Sequence, residues 1–434
     1  MTDYRDFYRQ LRTDWLQLRS YLFDATTRLP ALPAVLDVVR RRLEEGEPLG
    51  LIYVDPSGGG SLEASCGWEA YDALIRETAQ LLRRFQRQHL ERHDTVALNS
   101  VRGDEFLIFA GLEGHPAERL DGLHGELRAL LQRELTIRHE GQAHPLELLV
   151  SSALALEPMP EVRIERAIYG TLRRARQLGQ RQTQQLQVDR LRALERMLAE
   201  GDVLIRFQPI LDLASARVHG FEALGSPTSA DSFDNAETLF TFAEQSERIG
   251  ELERLCRRQA VRRAAPLVER YPGAKLFLNC SPHAFDDPEL VADLVEGALV
   301  AGCPPGDLVV EVTERVAITE WQPFQQVLSD LRYAGLGVAI DDMGSGYSSL
   351  HAVAEIEPDY LKIDGSLVQE VHRSPIKRDL LESLSTLASK IGARSIAEGI
   401  EHPPELTALR NLGVDYGQGY LFAAPAPPDQ LRLG

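Results

Sequence analysis

Two kinds of apolar spacing alternate along this chain and divide it into segments. In residues 4–22, Tyr4, Phe7, Tyr8, Leu11, Trp15, Leu18 and Leu22 recur at steps of three and four, which predicts an amphipathic helix. Its polar face mixes acids and bases, so the stripe reads as a core or dimer seam in preference to a membrane-surface helix. Residues 24–181 then give helical patterns at 31–44, 68–90, 117–134 and 165–178. Strand patterns fall at 49–54 and 147–155, and a hairpin-like bend at 102–106 runs on through 107–109. Alternation of this kind predicts an α/β sandwich, a sheet with helices on one side. Residues 182–201 are polar and helical, with Val188, Leu191, Leu194 and Leu198 on one stripe. They hold no proline or Gly/Ser tract and read as a rigid connector.

From residue 203 onward the spacing changes again. Short apolar runs at 204–211, 218–224, 276–280, 308–312, 337–340, 360–363, 395–397 and 416–422 mostly alternate with helical segments. Eight such runs predict a (β/α)8 barrel of the TIM type. The expected organisation is therefore an N-terminal helix (1–23), an α/β domain (24–181), a connector (182–201) and a barrel (202–434).

Polar residues on or just after the barrel runs carry the candidate chemistry: Glu222, Asn279, Glu311, Glu314, Asp341, Asp342, Lys362, Asp364, Glu398, Glu401 and Gln418. Strand ends line the catalytic face of such a barrel. A ring of carboxylates at one mouth is untenable without cations. No His or Cys joins the set, so oxygen-rich coordination points to Mg²⁺ or Mn²⁺ over zinc. The densest stretch is residues 337–364, where Val338-Ala339-Ile340 stops at the adjacent carboxylates Asp341 and Asp342. A Gly344-Ser345-Gly346 turn follows, and the next short strand carries Lys362. Taken alone, Asp-Asp before Gly-Ser-Gly is a turn with a helix cap, and G-x-G-x-x-S is weak as a nucleotide loop. Repetition of acids at the other strand ends favours a metal-hydrolysis site.

Composition narrows the partners. The formal charge of -18 argues against nucleic-acid polymers, which need a basic surface. A small phosphate ligand is still allowed where metal ions screen it. The charged start, MTDYRDFYRQ, predicts no signal peptide, and no apolar run approaches a membrane span. Cys66, Cys256, Cys280 and Cys303 lack C-x-x-C spacing and read as reduced thiols of a cytoplasmic protein. Only four of the 47 basic residues are lysines, so Lys362 stands against the prevailing habit and hints at a titratable amine.

Two resemblances follow from these motifs. Residues 102–106 (Arg-Gly-Asp-Glu-Phe) occupy the signature position of a GGDEF (diguanylate cyclase) domain, which the first α/β segment resembles. Asp55 matches that family's first metal-ligand aspartate, Glu105 its signature glutamate, and Asp72 its usual aspartate further on. Arg102 replaces the first glycine, and the run 55–64 lacks the family's lysine and guanine-reading asparagine. No R-x-x-D motif precedes the signature. The resemblance implies a degenerate, regulatory domain without cyclase activity, with Asp55 and Glu105 as a remnant that binds GTP as an allosteric ligand.

Residues 204–425 resemble the EAL family of cyclic di-GMP phosphodiesterases. The motifs stand as Phe221-Glu222-Ala223-Leu224, Leu278-Asn279-Cys280-Ser281, Glu311-Val312-Thr313-Glu314, Asp341-Asp342-Met343-Gly344, Lys362-Ile363-Asp364, Ala397-Glu398-Gly399-Ile400-Glu401 and Gln418-Gly419-Tyr420-Leu421-Phe422. The resemblance implies that Glu222, Asn279, Glu311 and Asp341 hold one divalent ion. Asp341 is then shared with a second ion, which Asp342 completes. Lys362 and Glu398 would order and deprotonate the attacking water. Glu314 would hold the 344–349 loop and a dimer contact, Glu401 would support the network, and Gln418 would face the nucleotide. The implied product is linear pGpG, and the implied assembly a homodimer through this domain. Ser226 stands where the family has an arginine on substrate phosphate. That loss is worth ~1.5–3 kcal/mol unless another arginine, such as Arg206 or Arg315, reaches in. The competing expectation is a cyclic di-GMP receptor without turnover, signalling through a protein partner.

Overall fold

Strand β1 (Leu49–Asp55) is buried at every position, and that uniform burial explains the first half of the molecule. The structure, a computed structural model, describes residues 18–431 apart from 58–61, 113–114, 136, 140–141, 145–148, 157–162, 230–231, 314–320 and 345–349. It divides into two compact units, Met1–Val188 and Asp189–Gly434. Of the predicted helix at 4–22, only residues 18–22 are described, and these are helical.

In the first unit the further strands are β2 (Thr95–Leu98), β3 (Phe106–Gly111), β4 (Ile137–His139), β5 (Gln142–His144) and β6 (Leu149–Leu156). β4 and β5 form a separate hairpin, whereas β2-β3-β1-β6 is one sheet with every neighbouring pair antiparallel. One face packs Ile52, Val54 and Ile108 against Leu82 and Phe85 of the helix Leu62–His89 and Leu127 of the helix Pro116–Glu134. The opposite face packs Leu51, Tyr53 and Phe109 against Val35 and Val39 of Leu32–Glu44 and Ile168 of Ile164–Glu200. Helices therefore cover both faces, not one as the alternation predicts. A strand buried on both sides is apolar throughout instead of alternating, and Leu-Gly-Leu-Ile-Tyr-Val is such a run. The helix Ile164–Glu200 is continuous, so the predicted helix and connector are one element.

The second unit is a closed eight-stranded barrel. Its strands are β7 (Leu204–Asp212), β8 (Val218–Ser226), β9 (Lys275–Cys280), β10 (Leu308–Thr313), β11 (Gly337–Met343), β12 (Tyr360–Ile363), β13 (Arg394–Ala397) and β14 (Tyr416–Gly417). From β8 to β14 each pair is parallel, but β7 runs antiparallel to both β8 and β14. The five residues between β7 and β8 are too few for a helical crossover. A turn closes them, with the Asp212 carboxylate accepting the Ala214 and Ser215 amides. This is the departure from a strict (β/α)8 repeat.

The last strand is shorter than the predicted 416–422. Beyond Gly417 the chain crosses close to the backbone after β13, where a Cβ on Gly419 would lie 2.2 Å from the Ile400 oxygen. That approach needs glycine and ends the strand. Outward-facing residues such as Ile205, Phe207, Phe221 and Leu276 pack under the surrounding helices. Inward-facing Ile210, Phe277, Val309, Ala339, Tyr360 and Ile396 form an apolar floor, with Tyr416 against it. At β8 the floor has no side chain to place. A Cβ on Gly220 would meet the Lys275 oxygen at 2.5 Å and the Phe277 ring at 3.0 Å.

Candidate active site

Side chains alternate along a strand, so the residues two positions from the floor also point inward. Those positions are polar on all eight strands: Gln208, Glu222, Asn279, Glu311, Asp341, Lys362, Glu398 and Gln418. On β8 to β14 they lie at or just past the C-terminal ends. On the reversed β7, Gln208 precedes Ile210 and pairs directly with Glu222. The fold thus builds an apolar floor under a polar rim. Gln208 is the member that sequence reasoning missed. Its signal is an amide between Phe207 and the apolar Pro209-Ile210-Leu211 of the strand, and here it donates to the Ala423 carbonyl at 3.2 Å.

Lys362 is the centre of the rim and is fully buried. Its Nζ lies 2.7 Å from Glu398 Oε1, 2.8 Å from Glu311 Oε1, 3.0 Å from Asp341 Oδ1 and 3.5 Å from Glu222 Oε2. These approaches are ion pairs by distance; among the described residues, Lys362 Nζ, both Glu311 oxygens and Asp341 Oδ1 have no hydrogen-bond partner. Gln418 Nε2 donates to Glu222 Oε2 at 2.6 Å and Glu398 Oε1 at 3.1 Å. Its own Oε1 is buried and unpartnered. Asn279 Nδ2 donates to Glu222 Oε1 at 3.2 Å.

Four carboxylates around one ammonium cannot all stay ionised cheaply. Burial would strip the proton from Lys362, but the charges of Asp341, Glu222, Glu311 and Glu398 outweigh it and hold its pKa well above the usual value. Burial drives Glu311 well above the carboxylate range, opposed by Lys362 and reinforced by Glu222 and Asp341. Glu398 is raised for the same leading reason. Glu222 goes the other way: burial opposes its charge, but Lys362, Gln418 and Asn279 together keep it ionised. Without a cation, some of these acids take up protons.

Asp341 and Asp342 are adjacent, and a regular strand would send them to opposite faces. The ladder between β11 and β12 breaks its register between Ile340 and Met343, inserting one extra residue. Asp342 there takes a left-handed φ of 58°. This bulge turns both carboxylates to the rim. Oxygens of Asp341, Asp342 and Glu398 lie within 4.8 Å of one another. Buried oxygens without a hydrogen bond among the described residues, an all-oxygen donor set and this convergence fit a hard divalent cation.

The remaining predicted residues fall elsewhere. Asp364 caps the helix Gly365–Val368 by accepting the Ser366 amide. Glu401 is exposed and lines a separate cavity of about 520 Å³ with Glu370, Arg373 and His402. Glu314 and the loop 345–349 lie outside the described residues, as does Arg315. Ser226 is buried at the end of β8, with its hydroxyl on the Leu204 carbonyl at 3.4 Å.

The predicted remnant in the first unit is different in kind. Asp55 Oδ1 accepts the Ser57 amide at 2.9 Å, and burial raises its pKa. Glu105 accepts the Tyr53 hydroxyl at 2.6 Å on one oxygen and the Asn99 amide at 2.6 Å on the other. Arg176 lies 3.3 Å away. Arg102 sits at the hairpin tip with a left-handed φ of 62°, a conformation that costs a side-chain-bearing residue ~1 kcal/mol.

Comparison with known proteins agrees with the barrel. A cyclic di-GMP phosphodiesterase of Pseudomonas aeruginosa, NbdA, is 28% identical over 427 residues, covering 93% of this chain and 53% of that protein. An uncharacterized protein of Sinorhizobium fredii is 26% identical over 423 residues, covering 94% of this chain and 50% of its own length. The chain spans about half the length of these relatives. The PaMucR phosphodiesterase in complex with c-di-GMP superposes with a TM-score of 0.52 at 24% identity, over 56% of this chain and all of that one, a likeness of fold. Residues 191–425, more than half of the chain, match the EAL domain; the protein belongs to the EAL family.

Proposed function

We propose that this protein hydrolyses cyclic di-GMP to linear pGpG at the barrel rim. The observation that carries the reading is Lys362, buried among four carboxylates whose oxygens are in part unpartnered. A receptor needs no such costly arrangement. The family and the NbdA relationship support the same chemistry. Glu222, Asn279, Glu311 and Asp341 would hold one divalent ion, Mg²⁺ or Mn²⁺, and Asp341 with Asp342 a second. Such ions acidify water and neutralise charge on a phosphoryl group.

The chain's own residues do the rest. Lys362 holds Glu398 and Asp341 in place by charge. Glu398, with its pKa raised by burial, is suited to take the proton of the attacking water. One of its oxygens is held by Lys362 and Gln418, so its convergence with Asp341 and Asp342 is compatible with that role. Water adds to one phosphorus as the bond to the ribose 3′ oxygen breaks, and the departing oxygen takes up a proton. The first unit is regulatory in this reading, without cyclase activity. For GTP to bind there through Asp55 and Glu105, contacts to Ser57, Tyr53 and Asn99 would have to open.

Turnover of cyclic di-GMP by the full chain with Mg²⁺ or Mn²⁺ tests the proposal, with Glu222→Ala alongside. We expect pGpG from the unsubstituted protein and at least ~10²–10³-fold less from the variant. Tight binding of cyclic di-GMP with no product under either metal would replace the enzyme by a receptor.

A further inference from the structure

The rim holds more negative charge than its one lysine balances, yet the ligand proposed above is itself an anion. Lys362 is fully buried beneath the carboxylates and cannot meet a phosphate at the mouth. The β7–β8 hairpin supplies another cation. Its register pairs Gln208 with Glu222, Arg206 with Leu224 and Leu204 with Ser226, without a bulge in this stretch. Ile205, Phe207 and Ala223 are buried in the outer apolar shell, which fixes the parity: Arg206 lies on the same face as Gln208 and Glu222. It stands two residues beyond Gln208 towards the open end and is exposed. Its guanidinium has no ion-pair or hydrogen-bond partner among the described residues.

Arg206 shares its face with Glu222 yet is paired with none of the described rim acids. Its diagonal neighbour across the hairpin is Ser226, roughly 7–8 Å away on the same face. Ser226 is small and turned to the Leu204 carbonyl, so it leaves that space open to the longer side chain. Arginine presents a planar fork that fits phosphate oxygens two at a time.

We infer that Arg206 is the anion-binding residue of this mouth and pairs with a phosphodiester of the bound cyclic dinucleotide. The inference rests on the proposed function. It is tested by steady-state kinetics and equilibrium binding of cyclic di-GMP to the full chain with Mg²⁺ or Mn²⁺. The variants are Arg206→Gln, Arg206→Lys and the double variant Arg206→Gln/Ser226→Arg. We expect Arg206→Gln to raise KM and Kd about 10- to 100-fold with kcat little changed and the melting temperature unmoved. Lysine should restore part of the affinity, and Ser226→Arg most of it, because both positions face the same space. Wild-type affinity in Arg206→Gln, or a fall in kcat at constant KM, would overturn the role of Arg206 while leaving the enzyme intact. An unsubstituted protein that neither binds nor cleaves cyclic di-GMP would overturn the function and this inference together.

Discussion

Acidic residues stand at strand ends in both units, but the two sets are held differently. In the first unit Glu105 has both oxygens engaged, by Tyr53 and Asn99, with Arg176 nearby, and Asp55 accepts from Ser57. In the barrel both oxygens of Glu311 and one of Asp341 are buried without a hydrogen bond among the described residues. Buried polar groups are normally satisfied, and each exception asks for a reason. The first set is satisfied within the protein; the second leaves buried oxygens that no described residue hydrogen-bonds. Local sequence does not separate them, since each is an acid within or beside an apolar run.

The sharpest way to break this comparison is to remove Lys362, the cation buried among the rim acids. Lys362→Met would leave Glu222, Glu311, Asp341 and Glu398 together without a counter-charge. Breaking a buried charge pair costs about 3–5 kcal/mol, so chemical denaturation in chelator should show a loss of that order. Added Mg²⁺ should recover part of the stability, though not turnover. A variant as stable in chelator as the parent would mean that the acids are already protonated and the rim is ordinary core.

His219 offers a contrast within the barrel, a half-buried polar group at the floor instead of the rim. Its ring stacks on Tyr416 at 3.8 Å, and Nε2 lies 3.1 Å from the Tyr360 hydroxyl. Burial first, then Lys275, lower its pKa from 6.5 to about 4. The unfolded chain therefore binds more protons between those values. Stability from the neutral ring is fully present above about pH 6.5 and is lost as pH falls towards 4. Allowing for solvent screening, the loss is ~2 kcal/mol. Denaturation of His219→Phe and the parent across this window should show a shallower pH slope in the variant. Parallel slopes would place the proton elsewhere.

What could be read without coordinates follows the range of the forces involved. Lys362 was legible because a lysine is conspicuous among arginines, and the rim acids because they stand on or just after short apolar runs. Gln208 was not, since its inward direction depends on β7 being reversed, and reversal is a property of the closed sheet. The turn of Asp342 towards Asp341 needs a bulge that the spacing does not announce. The two-sided burial of β1 was written in its unbroken apolar run, yet alternation with helices suggested one covered face. Satisfaction of Glu105 was the least legible, because its partners Tyr53, Asn99 and Arg176 come from three separate elements.

That last point yields the smallest effect and the most direct check of the comparison. In Glu105→Gln one oxygen still accepts from Tyr53 or Asn99, while the charge facing Arg176 is lost. Arg176 is largely exposed, so its share is within ~1 kcal/mol. The remaining mismatch, an amide group facing a donor, adds about 1 kcal/mol. Cyclic di-GMP turnover should be unchanged, because the substitution touches nothing at the rim. Millimolar GTP should leave the melting temperature of parent and variant alike, since a ligand that binds only the folded state would raise it. If GTP instead stabilises the parent and the effect vanishes in Glu105→Gln, the carboxylate has exchanged its internal partners for a ligand. The first unit would then be a nucleotide sensor held shut by Tyr53, Asn99 and Arg176, and satisfaction in the free protein would no longer separate a structural acid from a functional one.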